Sequence, residues 1–260
     1  MKNENYLMSR KLLPLLIIIP ILILGSFLVF KSKSAEPTSA SAPLLGLTLD
    51  LDFGNNNSSD PVQVYDSSGF NRNTTSTTGT TMPACTPYFC DFDGGDNTTG
   101  DATNIFNSAN ISIATKFSPD FTADDGVLHY IFDTQASGTE GYILIKVSDN
   151  SLRVYLGGTN IETIPLSSYQ AYWKVGEENV LVVRGDATND DTYMWLNGNI
   201  ILNNDQSAWT ESNSTAYYIG SNLNKVYCFD GKIYYLKVWS RLLSDAEVQH
   251  LSADRKTNMR

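Results

Sequence analysis

Basic residues are scarce beyond the N-terminus. The 260-residue chain has 18 Lys and Arg against 28 Asp and Glu, a formal net charge of −10. Residues 1–33 hold Lys2, Arg10, Lys11, Lys31 and Lys33 against Glu4, a sum of +4, so the remainder carries −14. A surface this acidic repels phosphate backbones, which excludes nucleic acid as a partner. Histidine is scarcer still: His129 and His250 lie far apart, and His250 falls in a helix where a surface position is expected. No nucleophile elbow and no phosphate-cradling glycine loop occurs. Nor is there a Glu-x-Asp-x-x-Glu string, which would set the two carboxylates of a glycoside hydrolase on one strand. Glu177 and Glu178 are adjacent, so on a strand they would point to opposite faces. The chain reads as non-enzymatic.

Charge is missing altogether from one long stretch. Leu12 to Phe30, LLPLLIIIPILILGSFLVF, holds nineteen uncharged residues. As a helix it spans ~28 Å, close to the hydrocarbon thickness of a bilayer. Pro14 and Pro20 are tolerated in a membrane helix as kinks. A cleaved signal peptide has a shorter apolar core ending at a small-residue site. Here Lys31 and Lys33 follow at once, which favours an uncleaved signal anchor. Residues 1–11 are placed inside. Residues 31–43 are then a flexible stalk, since SAEPTSASAP (34–43) cannot build a core. Only three cysteines occur, yet two are close together and several Asn-x-Ser/Thr sequons follow, as suits an external compartment.

From Leu44 onward the pattern has period two, and helical periodicity is nearly absent. Leu45, Leu47, Leu49, Leu51 and Phe53 alternate with small or polar residues. GYILIKV (141–147) and LRVYLGG (152–158) flank Ser148-Asp149-Asn150-Ser151, a hairpin signal. TYMWL (192–196) and NIIL (199–202) flank Asn197-Gly198, the pair that suits a two-residue turn. With Ile111–Phe117, Val127–Phe132, Val180–Arg184 and Lys232–Trp239, roughly ten strands are predicted. Hairpin-linked strands with one buried face imply antiparallel sheets closing into a sandwich or barrel. One helix is expected near the end, where Ser244-Asp245-Ala246-Glu247 fits a capping box. Residues 253–260 read as a basic, frayed tail.

The landmarks together resemble the laminin-G-like, concanavalin A-type jelly roll. They run Tyr65-Asp66-Ser67-Ser68-Gly69, Phe92-Asp93-Gly94, Trp195-Leu196-Asn197-Gly198, Ile219-Gly220, Phe229-Asp230-Gly231-Lys232-Ile233 and Arg241-Leu242-Leu243-Ser244-Asp245-Ala246-Glu247. The resemblance covers residues 44–252 and implies an all-β, antiparallel two-sheet jelly-roll sandwich used for recognition or adhesion. It departs from the family at Tyr234 and Tyr235, where the family often has an Asp-Glu pair that helps hold calcium.

Four kinds of site residue follow. Asp91, Asp93, Asp96 and Asp101 are interleaved with Gly94, Gly95 and Gly100, and the resemblance brings Asp66 and Asp230 to the same edge. Oxygen ligands on a glycine-rich turn suit calcium, so Asp66, Asp93, Asp96, Asp101 and Asp230 are candidate ligands for a structural Ca2+. A loop rich in Asn, Asp and Gly for its turn propensity would look the same. Tyr169, Tyr172, Trp173 and Trp209 are candidate stacking rings for a carbohydrate, whereas Trp195 and Trp239 are expected in the core. Cys85 pairs with Cys90, or Cys90 with Cys228, leaving one odd thiol. Candidate glycosylation sites are Asn56, Asn57, Asn73, Asn97 and Asn213. Asn110 is set aside because it should start a strand. The expectation is a single-pass surface protein that binds a glycan or a surface protein and contacts lipid through residues 12–30. A virion envelope protein for host attachment and a glycoside hydrolase-like enzyme stand as alternatives.

Overall fold

The structure, a computed structural model, describes residues 44–76, 82–134, 143–157, 160–205, 208–211 and 214–253. The nineteen-residue apolar segment 12–30, the stalk 31–43 and the tail beyond Ala253 lie outside the described residues. No helix among the described residues is long and apolar enough to cross a membrane.

The strands of the first half are β1 (Leu47–Asn57), β2 (Gln63–Asp66), β3 (Thr74–Ser76), β4 (Ala84–Cys85), β5 (Cys90–Asp93), β6 (Thr98–Asp101), β7 (Asn110–Pro119) and β8 (His129–Asp133). There follow β9 (Ile143–Lys146), β10 (Leu152–Leu156), β11 (Asn160–Ile164) and a one-turn helix α1 (Leu166–Tyr169). The last part holds β12 (Asn179–Asp186), β13 (Asp191–Leu196), β14 (Asn199–Asp205), β15 (Ala216–Ile219), β16 (Asp230–Trp239) and the helix α2 (Asp245–Ala253). Every pairing is antiparallel, in the order β11-β10-β9-β8-β15-β6-β3-β2-β1-β16-β7-β12-β13-β14, with β4 on β5 and β5 on β16. The path folds over at β1, which pairs with β16 through Leu47–Asp52 and with β2 through Leu51–Asn57.

The two halves of that path face each other across one core. Leu181, Val183, Met194 and Leu196 of the β12–β13 half meet Ile131, Leu144, Leu152, Val154 and Leu156 of the β8–β10 half. This is an all-β antiparallel sandwich, consistent with a jelly roll. Two turn expectations are met in detail. Asn197 and Gly198 both take positive φ (55° and 80°) between β13 and β14, the conformation a two-residue hairpin needs. Asn150, in the turn between β9 and β10, has φ 64°. The first strand begins two residues later than its alternation suggests. Gly46 turns the chain at φ +74°, leaving Leu45 80% exposed.

A second apolar layer lies outside the β12–β13 half. Ala114, Val180, Val182, Trp195, Tyr235 and Trp239 point away from the main core and are covered by Leu243, Val248 and Leu251 of the C-terminal segment. Burying each of those three covering side chains contributes about 1.5–3 kcal/mol. The capping box holds this lid in place. Glu247 N–H donates to Ser244 Oγ at 3.3 Å, and Ser244 N–H donates to Glu247 Oε2 at 2.7 Å. Arg241 grips the same carboxylate with two nitrogens, at 3.0 and 2.6 Å, and donates from Nε to Leu45 O.

At one end of the sandwich Lys146 and His129 are buried against the partly exposed Asp125. Lys146 Nζ, fully buried, donates to Asp125 Oδ1 and to Val127 O. His129 Nε2 lies 2.8 Å from Asp125 Oδ2, and its Nδ1 lies 3.2 Å from Cys228 O. Its ring stacks on Phe121 at 3.7 Å between centroids. His129 is thus a structural residue that fastens the Phe121–Val127 loop, a role its isolation in the sequence hides.

Candidate functional site

Strand register creates the site. In the β12–β13 ladder Arg184 pairs with Tyr193 and Asp186 with Asp191. These are alternate pairs, so all four side chains stand on the outer face of the sheet, just past the lid formed by α2. Leu242, 37% exposed in the segment leading into α2, closes the fifth side. Together the five residues line a hollow of about 220 Å³.

Each wall has a distinct character. The Arg184 guanidinium lies 4.9 Å from the Tyr193 ring centre and 4.4 Å from that of Trp195. One of its nitrogens, Nη1, donates to Leu243 O and to Asp245 Oδ1, both at 2.7 Å. Stacking and hydrogen bonds therefore fix the arginine, which lines the hollow and keeps Nε and Nη2 out of these bonds. Asp186 is tied into the tight turn that follows: its carboxylate accepts from Thr188 N–H (2.9 Å), Asn189 N–H (3.2 Å) and Asn189 Nδ2 (2.7 Å). Asp191 has no side-chain partner among the described residues. Two carboxylates directly opposite across a ladder repel each other. Here the pair persists with one of its members free. The sequence does carry a signal for this site. Val180–Arg184 and TYMWL are both visible as strands, and pairing them around the polar turn at 187–190 sets Arg184 opposite Tyr193. The contribution of Leu242 is not visible that way.

Three of the four expected stacking rings lie in the core instead of on the surface. Tyr169, Trp173 and Trp209 are 0%, 6% and 3% exposed and belong to the main core, and Tyr172 packs half-buried against it. The short α1 turns the chain inward, so that Trp173 packs on Phe117 and Phe121 and donates from Nε1 to Phe121 O at 3.2 Å. Burial raises the Tyr169 phenol far above its ordinary value, with nearby Asp125 and Asp124 adding to the effect. Trp209 fills the space over Gly185, where a methyl group would meet its ring at 2.9 Å. Tyr169, Trp173 and Trp209 offer no face to a ligand. Trp195 and Trp239 are buried as expected.

The five aspartates do not gather at one point among the described residues. Asp66 uses both oxygens internally, accepting from Asp50 N–H, Ser68 N–H, Ser68 Oγ and Arg72 N–H at 2.8–3.0 Å. Asp101 accepts from Thr103 N–H at 2.8 Å, and the Thr103 hydroxyl, with that N–H, holds its carboxyl below the ordinary range. Asp93 and Asp230 do come together, in register across β5 and β16, with Asp96 Oδ2 accepting from Asp93 N–H. Burial, helped by Asp93, lifts Asp96 to about 6; burial with Asp120 lifts Asp230. Among the described residues no group of three or more His, Cys, Asp or Glu is arranged to hold a metal ion. Tyr235, at one of the positions where the family has an acid, is buried under the outer apolar layer.

Two of the sequons are unsuited to modification. Asn97 is fully buried. Asn56 is half-buried, and its Nδ2, the atom a glycan would take, donates to Phe53 O and Thr86 O. Asn57 and Asn73 are half-buried on strand ends and loops, and Asn213 lies outside the described residues. Cys85 faces Cys90 across β4 and β5 and is joined to it, leaving Cys228 as a buried thiol.

Comparison with known proteins bears on the whole frame. A laminin-G-type model of the concanavalin A-like lectin/glucanases superfamily matches residues 92–249. The receptor binding domain of botulinum neurotoxin C/D mosaic serotype is similar in structure, with a TM-score of 0.60 at 10% identity, covering 80% of this chain and 51% of that one. The binding domain of botulinum neurotoxin DC in complex with SialylT gives 0.59 at 12%, covering 82% and 52%. A Trypanosoma rangeli sialidase in complex with 2,3-difluorosialic acid gives 0.59 at 12%, covering 84% of this chain and 34% of that one. The chain thus spans about half the length of the toxin domains and about a third of the sialidase. No curated protein sequence matches it. The structural likenesses carry the fold alone, but the family match takes in more than half of the sequence: the chain belongs to the concanavalin A-like lectin/glucanases superfamily.

Proposed function

We propose that this chain is a non-catalytic recognition protein that binds a saccharide in the Arg184–Asp186–Asp191–Tyr193–Leu242 hollow. Residues 12–30 would hold it in a bilayer, and 31–43 would set the sandwich off from the surface. The observation that carries the binding reading is the hollow itself. It combines an unpartnered carboxylate, a fixed guanidinium, a phenol and an apolar side chain in about 220 Å³. Planar carboxylate and guanidinium groups make the paired hydrogen bonds that neighbouring sugar hydroxyls offer, while Leu242 and the Tyr193 ring suit the C–H face of a pyranose. Membership of a superfamily of lectins and glucanases supports the ligand class. So does likeness to a toxin binding domain whose structure was solved with SialylT. Against catalysis, a glycosidase needs two carboxyl groups free to act on one bond, and Asp186 is held by the turn behind it.

The test is a glycan array probed with the detergent-solubilised full chain and with its Tyr193→Ala variant. Binding to a defined set of glycans that disappears in the variant supports the reading. Binding that survives unchanged refutes this site. Release of p-nitrophenol from aryl glycosides by the wild-type chain would refute the non-catalytic part. For the anchor, the chain should sediment with membranes in carbonate and leave them when residues 1–33 are removed.

A further inference from the structure

Resting on the saccharide reading of this hollow, we infer that its sugar is uncharged and rich in hydrogen-bond donors, and that carboxylated sugars are rejected. The charge arrangement is the reason. Among the described residues the hollow is lined by one positive group, Arg184, and two negative ones, Asp186 and Asp191, and the exposed Asp245 carboxylate pairs with the arginine. The arginine is already shared: Nη1 is taken by the Asp245 carboxylate and Leu243 O, and the flat of the guanidinium lies on two aromatic rings. Asp186 is satisfied by three turn donors, so it adds its charge without needing a ligand. Asp191 is the opposite case. It stands directly across from Asp186, and no donor among the described residues meets its oxygens.

A carboxylate left open beside a second carboxylate selects for donors. Sugar hydroxyls supply them, in pairs spaced to suit both oxygens, and charge-assisted bonds of this kind are the stronger ones. A sugar carboxylate entering the same space meets Asp191 within a few ångströms, with no unshared cation to offset it. Ions in solution screen over about 8 Å at physiological salt, so they do not relieve a repulsion inside the hollow. The chain's net charge of −10 works in the same direction. The remaining N–H groups of Arg184 and the Tyr193 hydroxyl are then left to meet ring and glycosidic oxygens. This hollow should therefore differ in ligand class from the neighbours solved with sialic acid derivatives.

The experiment compares matched neutral and sialylated glycans on one array, using wild type, Asp191→Asn, Asp191→Ala and Tyr193→Ala, each first checked for an unchanged melting temperature. All four residue states are tolerable on a half-exposed outer face. The expected result is binding to neutral glycans only, weakened roughly ten- to hundredfold in Asp191→Ala, as follows from losing hydrogen bonds to a charged group. That binding should hold when salt is raised from 50 to 500 mM, both roughly chosen to cross the screening length. Asp191→Asn, which keeps shape and removes charge, should lessen the discrimination against sialylated glycans. Sialylated binding that is lost in the Tyr193 and Asp191 variants overturns this inference and leaves the saccharide site standing. Glycan binding unaffected by every variant overturns both.

Discussion

Replacing Asp125 with alanine strands two buried nitrogen groups at once. Lys146 has a fully buried side chain, and Asp125 is its charged partner among the described residues. His129, 7% exposed, loses the carboxylate at its Nε2. Removing one member of a buried ion pair costs about 3–5 kcal/mol, because the other charge stays desolvated. For a domain of this size each kcal/mol lowers Tm by about 2–4 °C, so a fall of roughly 6–20 °C is expected. Urea unfolding followed by tryptophan fluorescence, alongside calorimetry, measures it. Adding Lys146→Met to Asp125→Ala should recover most of the loss, since the methionine needs no counter-charge. The pH dependence follows with a definite sign. Burial acts to raise the Asp125 carboxyl, but hydrogen bonds from Lys146, Val127 N–H and His129 together outweigh it and hold it below its ordinary value. Its contribution is therefore present above about pH 3.9, the unfolded carboxylate value, and is lost as pH falls through the lower folded value. The wild type should lose more stability over that acid range than the variant, which lacks this contribution. A Tm change under about 2 °C for Asp125→Ala, or no recovery in the double variant, would refute the reasoning.

Further outcomes can be measured on the same protein. Glu247 is lowered to about 2, chiefly by Arg241, so the α2 lid should hold above about pH 4.3 and loosen as pH falls toward 2. Glu247→Ala should cost about 1–2 kcal/mol at pH 7 and remove that acid dependence, as read by urea titration at several pH values. Asp96 behaves in the reverse sense. With its carboxyl raised to about 6, its ionisation weakens the fold, so stability should rise as pH drops from 7 toward 4, and Asp96→Asn should flatten that part of the profile. Because the aspartates at 66 and 101 are bound internally, EGTA should leave Tm unchanged, and a fall of several degrees would restore a calcium role. Peptide mapping without reductant should give the Cys85–Cys90 bridge, with the Cys228 thiol titrating only after unfolding; a Cys90–Cys228 peptide would contradict the pairing.

What the sequence determined was local. The Asn197-Gly198 hairpin, the 148–151 turn and the Ser244–Glu247 cap depend on residues within a few positions of each other, whose φ preferences and hydrogen bonds act whatever lies around them. Period-two alternation likewise told which residues share a face. It could not tell which face meets solvent, because that depends on what packs opposite. Tyr169, Trp173 and Trp209 sit in polar stretches that read as exposed, yet they fill the end and middle of the sandwich. Conversely Arg184 and Tyr193 lie on strands that read as core, yet they stand just beyond the reach of the covering helix, where Leu242 completes a hollow from 49 residues further on. Asp125, His129 and Lys146 meet only once the Phe121–Val127 loop closes on β8 and β9. Those juxtapositions are set by long-range register and by the lid, so only the tertiary structure decided them.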